Sequence, residues 1–244
     1  GGFGFVTRVA NRNLPDDAPH VALKLIKVKH DDEEVAQEEI EKTAREMSHH
    51  QRAAASSRYV VNMLTWGQID DEFFFVVMEL CEGGDVEKLL NEQPGRGLEA
   101  ELLWRFYEQL TQGVQAIHEA DLIHLDLKPA NCAYYRSRSL FLLRLTRAPS
   151  SRAVLLAIVD GSLEVRIADL GLAKLTQGGD GSTMTHTVVG GTPGFRAPEV
   201  ASGRYSSKAD MYSLGVSMFD MALGRKEGSP PTFPDFEAED PCAP

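Results

Sequence analysis

The stretch Ile123-His124-Leu125-Asp126-Leu127-Lys128-Pro129-Ala130-Asn131 constrains this chain more than any other. Proline removes a backbone donor and excludes a regular helix at that point. The polar residues His124, Asp126, Lys128 and Asn131 therefore belong to a loop. Just before it, Leu98 to Glu119 sets Leu102, Leu103, Phe106, Leu110, Val114 and Ile117 on one face of a long predicted helix. Any fold for the chain has to present a carboxylate, an ammonium and an amide from a loop that follows this helix.

The residues on either side differ in character. Phe3 to Ala10 and Val21 to Val28 read as strands, joined by a loop with two prolines and two aspartates. Asp31 to Met47 places Val35, Ala36, Ile40, Thr43 and Met47 at helical spacing. Val60 to Ile69 and Glu72 to Leu80 read as further strands, and the expected order is β-β-β-α-β-β. Glu82-Gly83-Gly84 marks a boundary. Beyond it come the long helix, the polar loop, a short strand Val165 to Ala168 and a helix from Ser206 to Leu223. Residues 226–244 hold five prolines and several acids and read as a loose tail.

Composition narrows the function classes. With 244 residues the chain is long enough for a substantial core. A net charge of −11 argues against non-specific nucleic-acid binding, because like charges repel. Three cysteines, Cys81, Cys132 and Cys242, do not form a disulfide framework and suit a reducing, intracellular, cytoplasmic setting. No apolar run approaches the roughly 18–20 residues of a membrane span, and the start has no signal-peptide pattern.

Several segments carry chemistry. In Gly1-Gly2-Phe3-Gly4-Phe5-Val6 the glycines let backbone N–H groups approach phosphate oxygens; a glycine cluster is equally a plain turn. Val21-Ala22-Leu23-Lys24 puts a lysine in an apolar strand, which costs desolvation unless an anion pairs with it. Met78-Glu79-Leu80-Cys81-Glu82-Gly83-Gly84-Asp85 closes a strand and enters a turn, where Asp85 is either a sugar-hydroxyl acceptor or a helix N-cap. Asp169-Leu170-Gly171 follows a strand, and Gly191-Thr192-Pro193-Gly194-Phe195-Arg196-Ala197-Pro198-Glu199 comes later.

In this order the segments resemble the protein kinase family, Ser/Thr branch, whose catalytic loop has the form H-R-D-L-K-P-x-N. The resemblance covers nearly the whole chain. It implies an α+β, two-lobed fold: a β-rich lobe at 1–80 with one helix, a hinge at 81–84, and a mainly helical lobe from 85 to 244. The implied reaction is transfer of the γ-phosphoryl group of ATP, with Mg²⁺, to Ser or Thr hydroxyls of a protein. Asp126 would accept the proton of the attacking hydroxyl, and Lys128 and Lys24 would neutralise phosphate charge. Asn131 and Asp169 would hold the metal. Gly1, Gly2, Phe3, Gly4, Val6, Ala22, Lys24, Glu39, Met78, Glu79, Cys81 and Asp85 would surround the nucleotide. Glu39 is chosen over Glu38 and Glu41 as the helix acid that holds Lys24. Thr192 would touch Asp126, and Asp210 would brace the backbone of the catalytic loop. Ser182, Thr183, Thr185 and Thr187 are candidate phosphosites.

Three departures stand against the pattern. Leu125 replaces the arginine that binds an activation-loop phosphate, so activity would depend less on loop phosphorylation. Asn131 and Asp169 lie 38 positions apart, far beyond the family's spacing. The excess is assigned to about 134–157, as a retained intron, a faulty gene model or a surface insertion. The chain also reads as truncated at both ends, which raises an inactive fragment as an outcome. The rival functions are a pseudokinase or scaffold module, discriminated by phosphate transfer, and a small-molecule kinase. Residues 191–199, the peptide-binding feature by resemblance, argue against the latter.

Overall fold

The computed structural model describes residues 5–10, 20–27, 33–70, 73–92, 95, 97–135, 163–170, 173–175, 182–184 and 191–224. The expected phosphate-binding residues Gly1, Gly2, Phe3 and Gly4 lie outside this set, as do Gly171, Thr185, Thr187 and the tail beyond 224.

Strands β1 (Phe5–Val9) and β2 (Val21–Lys27) precede helix α1 (Glu33–Ser56), and β3 (Met63–Asp70) and β4 (Phe73–Glu79) follow it. They form one antiparallel sheet in the order β1-β2-β4-β3. Among the described residues two strands come before the helix. Phe74 and Val76 of β4 are buried, as β-branched and aromatic residues on a half-covered sheet should be.

α1 continues nine residues past the expected end at Met47. The extension is Ser-His-His-Gln-Arg-Ala-Ala-Ala-Ser, and alanine is the strongest helix former. Ala53 and Ala54 are buried and let the helix approach its neighbours closely.

After Asp85 come α2 (Val86–Asn91) and α3 (Ala100–Glu119). The apolar face of α3 behaves as its spacing requires: Leu102, Phe106, Leu110, Val114 and Ile117 are buried. Strand β5 (Leu122–Ile123) leads into the polar loop, where Pro129–Asn131 forms a single 3-10 turn. β6 (Cys132–Tyr135) pairs antiparallel with β7 (Glu164–Ile167), β8 (Lys174–Leu175) pairs with β5, and β9 (Ser182–Met184) pairs with β10 (Arg204–Ser206). Helix α4 (Lys208–Leu223) completes the described chain. One apolar cluster runs from Met47 and Val76 through α3 to Leu214 and Met221, so the sheet and the helical part share a core.

The β6–β7 pairing includes Tyr134 and Tyr135, the first residues of the segment to which the excess was assigned. Tyr134 faces Val165 across the ladder and is 1% exposed. It also crowds Gly83, where an added Cβ would lie 2.2 Å from the Tyr134 carbonyl oxygen. Tyr134 and Tyr135 are thus part of the two-stranded sheet. No helix among the described residues is long and apolar enough to cross a membrane.

Candidate active site

The polar loop is held from beneath by one buried carboxylate. Asp210, in the first turn of α4, is fully buried. Its Oδ2 accepts the backbone N–H of His124 at 2.8 Å, and its Oδ1 accepts that of Leu125 at 2.9 Å. His118, near the end of α3, places Nε2 2.8 Å from the same Oδ2. These bonds help hold Leu125 at a φ of 67°, a region a bulky side chain seldom occupies. The Leu125 side chain is buried with Ile123, Ala197, Val200, Tyr205 and Ala209. Where an arginine was expected, an apolar contact joins the loop to the segment ahead of α4.

The loop's reactive groups converge above this brace. Asp126 Oδ1 accepts the backbone N–H and the hydroxyl of Thr192, each at 2.8 Å. Asn131 Nδ2 donates to Asp126 Oδ2 at 3.0 Å and to the Asp126 carbonyl at 2.8 Å. Lys128 Nζ donates to Thr192 Oγ1 at 2.7 Å and lies 3.8 Å from Asp126 Oδ2. Gly191 makes this approach possible: its φ is +110°, and a Cβ there would sit 2.8 Å from the Leu125 carbonyl. Lys24 reaches over from β2 and pairs with Asp169, two residues past the end of β7. That segment is tied to the loop through Ala168, whose N–H donates to the Asn131 carbonyl at 2.8 Å.

The pattern of the protein kinase domain family matches residues 1–230. The chain belongs to the protein kinase family. It is 32% identical over 179 residues to probable serine/threonine-protein kinase zyg-1 of Caenorhabditis elegans, covering 72% of this chain and 21% of that protein. It is 29% identical over 154 residues to serine/threonine-protein kinase Nek4 of Mus musculus, covering 62% and 16%. With serine/threonine-protein kinase ULK1 of Homo sapiens it shares 31% over 152 residues, covering 62% and 12%. The kinase chain thus spans about a fifth or less of the length of these relatives.

Protein kinases use ATP and divalent metal ions. The nucleotide-facing expectations for this kinase sort by sheet register. Val6 lies opposite Lys24, Lys24 opposite Val76, and Ala22 opposite Met78. Side chains alternate faces along a strand, so Val6, Ala22, Lys24 and Met78 share one face of the sheet. Asp85 is the N-cap of α2: its Oδ1 accepts Lys88 N–H at 2.8 Å, and Lys88 Nζ pairs with Oδ2 at 2.7 Å. This bond with Asp85 raises the Lys88 pKa. The Glu79 N–H donates to the Asn62 carbonyl at 3.0 Å, and the Cys81 carbonyl accepts from Gly84 at 3.3 Å.

The side chains that could hold a metal ion here are those of Asn131 and Asp169. Asn131 turns its amide nitrogen to Asp126, so its side-chain oxygen is the atom that could serve a metal ion. Asp169 is 52% exposed at its side chain. Two hard oxygen donors with the remaining positions left to phosphate and water fit a magnesium-type ion. Among the described residues no three His, Cys, Asp or Glu side chains cluster as a metal site.

Glu39 lies on α1, but its side chain is outside the described residues. Seven positions later, two turns along the helix, Glu46 pairs with Lys174 Nζ at 3.6 Å. Four positions further, on the same face, His50 is buried near Lys24, His124 and Asp169. Burial, then the charge of Lys24, pushes its pKa from 6.5 down to about 3, so the ring is neutral. Sequence reasoning weighed only Glu38, Glu39 and Glu41 on this helix and so passed over Glu46, and it missed His50 because it ended α1 at Met47. The signal was present in the helix-forming run that follows. Cys132 is also buried beside the site, and burial pushes its thiol up to about 12, which makes it inert.

Proposed function

We propose that the chain transfers the γ-phosphoryl group of ATP, with Mg²⁺, to serine or threonine hydroxyls of a protein substrate. The single observation that carries this reading is the environment of Asp126. Its carboxylate is held on both oxygens, by Thr192 on one and Asn131 on the other, with the Lys128 ammonium beside it. A carboxylate fixed in this way keeps one orientation toward an incoming hydroxyl and accepts its proton as the oxygen attacks.

The remaining groups divide the work by charge. Lys128 and Lys24 supply positive charge on either side of the transferred group, which spreads negative charge over its oxygens in the transition state. Asn131 and Asp169 would hold magnesium, which when bound neutralises phosphate oxygens. Val6, Ala22 and Met78 offer an apolar face to the base, and backbone groups at Glu79 and Cys81 its polar edge. Asp85, although it caps α2, keeps oxygens within reach of a ribose hydroxyl. The similarity to serine/threonine-protein kinases supports the acceptor class.

The test is phosphate transfer from labelled ATP to peptides bearing Ser, Thr or Tyr, with Asp126→Asn alongside. Equal labelling by both proteins would refute the role of Asp126. Labelling confined to tyrosine would refute the acceptor class.

A further inference from the structure

Arg166 and Glu79 form a contact that the transfer chemistry leaves unused. Glu79 is the last residue of β4, at the entry to the segment assigned to the polar edge of the base. Arg166 Nη1 donates to both Glu79 carboxylate oxygens, each at 2.6 Å. The Asn62 N–H adds a third hydrogen bond, to Oε1 at 2.6 Å. The same guanidinium directs Nε and Nη2 at Glu164 Oε1, at 3.0 and 2.8 Å. The side chains of Arg166 and Glu79 are only 17% and 21% exposed, so solvent screens the pair less than a surface ion pair.

The position of Arg166 gives the pair its meaning. It lies on β7, three residues before Asp169, and faces Ala133 across the β6–β7 ladder. The next residue, Ile167, donates to the Tyr59 carbonyl and accepts from the Val61 N–H, both at 2.8 Å. One rigid guanidinium therefore ties the strand that leads to Asp169 to the start of the segment assigned to the base. A planar fork with several directed bonds fixes relative position in a way that a flexible ammonium does not.

We propose that Arg166 is a positioning residue for the nucleotide: through Glu79 it sets the base-binding segment 79–81 at a fixed distance from Asp169. A nucleotide has to meet both at once, its base at one and its phosphates at the other. Preorganising that separation lowers the cost of binding. This inference rests on the kinase reading above.

The experiment measures binding of a fluorescent ATP analogue with magnesium to the 244-residue chain, together with KM for ATP, KM for peptide, kcat and Tm. Arg166→Met is expected to weaken nucleotide binding about tenfold and to raise KM for ATP in step, the size of one lost charge-assisted contact. Its kcat and peptide KM are expected to stay within about twofold, as for a group that acts on ground-state binding alone. Arg166→Lys restores part of the loss, since it keeps the charge without the fork. Glu79→Gln weakens binding in the same direction, and combining it with Arg166→Met adds little, because the two act as one unit. Should Arg166→Met fail to fold, Glu79→Gln and Arg166→Lys decide the matter. Variants that bind nucleotide like the wild type while Tm falls would reduce the pair to a structural bond and overturn the proposal. A wild-type chain without affinity for the nucleotide would overturn the kinase reading itself, and the proposal with it.

Discussion

Asp210 and Asp169 approach the catalytic loop from different sides and are held in different ways. Asp210 is fully buried, and two of its three hydrogen-bond donors are backbone N–H groups of the loop. Asp169 is half exposed, and Lys24 comes to it from the sheet. A buried carboxylate with backbone donors has no competing water, so the loop conformation is locked before any ligand arrives. An exposed carboxylate paired across a cleft can exchange its partner for water, a cation or phosphate at small cost. The first device suits a part that must not move, and the second suits a part that must be opened by the ligand.

Four substitutions break or sharpen that contrast, in order of expected size. Asp126→Asn separates function from scaffold. Its kcat should fall by about 10²–10⁴, the usual contribution of a positioned general base, with Tm little changed. A large drop in Tm would mean that Asp126 also serves the fold. Asp210→Ala should cost roughly 3–5 kcal/mol of stability in urea denaturation, because it leaves loop N–H groups buried and unpaired.

His50 comes third. Its pKa is lowered in the folded chain, so the unfolded state takes up a proton first as the pH falls. The stabilising effect of a neutral, buried His50 is complete above pH 6.5 and is lost as the pH drops from there toward 3. By pH 5 the loss is about 2 kcal/mol. His50→Leu should remove that part of the acid slope. An unchanged slope would place the acid sensitivity elsewhere. The smallest effect is expected of Lys24→Met, which removes the partner of a half-exposed carboxylate and should change stability by less than about 1 kcal/mol. A loss as large as that of Asp210→Ala would erase the distinction between the two carboxylates.

Much of the site was legible in the residues because its parts are local in the chain. His124 to Asn131 occupies one loop, and Pro129 excludes a helix there. The apolar face of α3 was readable from its period, and Leu102, Phe106 and Ile117 are buried accordingly. The length of α1 was misjudged because the apolar pattern fades after Met47 while alanine propensity carries the helix on to Ser56. Tyr134 was assigned to the excess segment because its neighbours read as atypical, whereas its place is set by pairing with Val165 from the far side of that segment.

By itself the sequence determined which chemical groups the chain possesses and the order in which they occur, since loops, strand lysines and glycine turns are set by neighbours in the chain. It therefore identified the carboxylate, amide and ammonium groups of the loop, together with Lys24 and Asp169. Only the tertiary structure decided which charge meets which. Lys24 and Asp169 are 145 positions apart, Glu79 and Arg166 are 87, and Asp126 and Thr192 are 66. The physical reason is that an acid on a helix or strand has the same local signature whether it faces water, caps a helix or grips an arginine. Its partner is chosen by the packing of elements distant in sequence, and that choice leaves no periodicity to read.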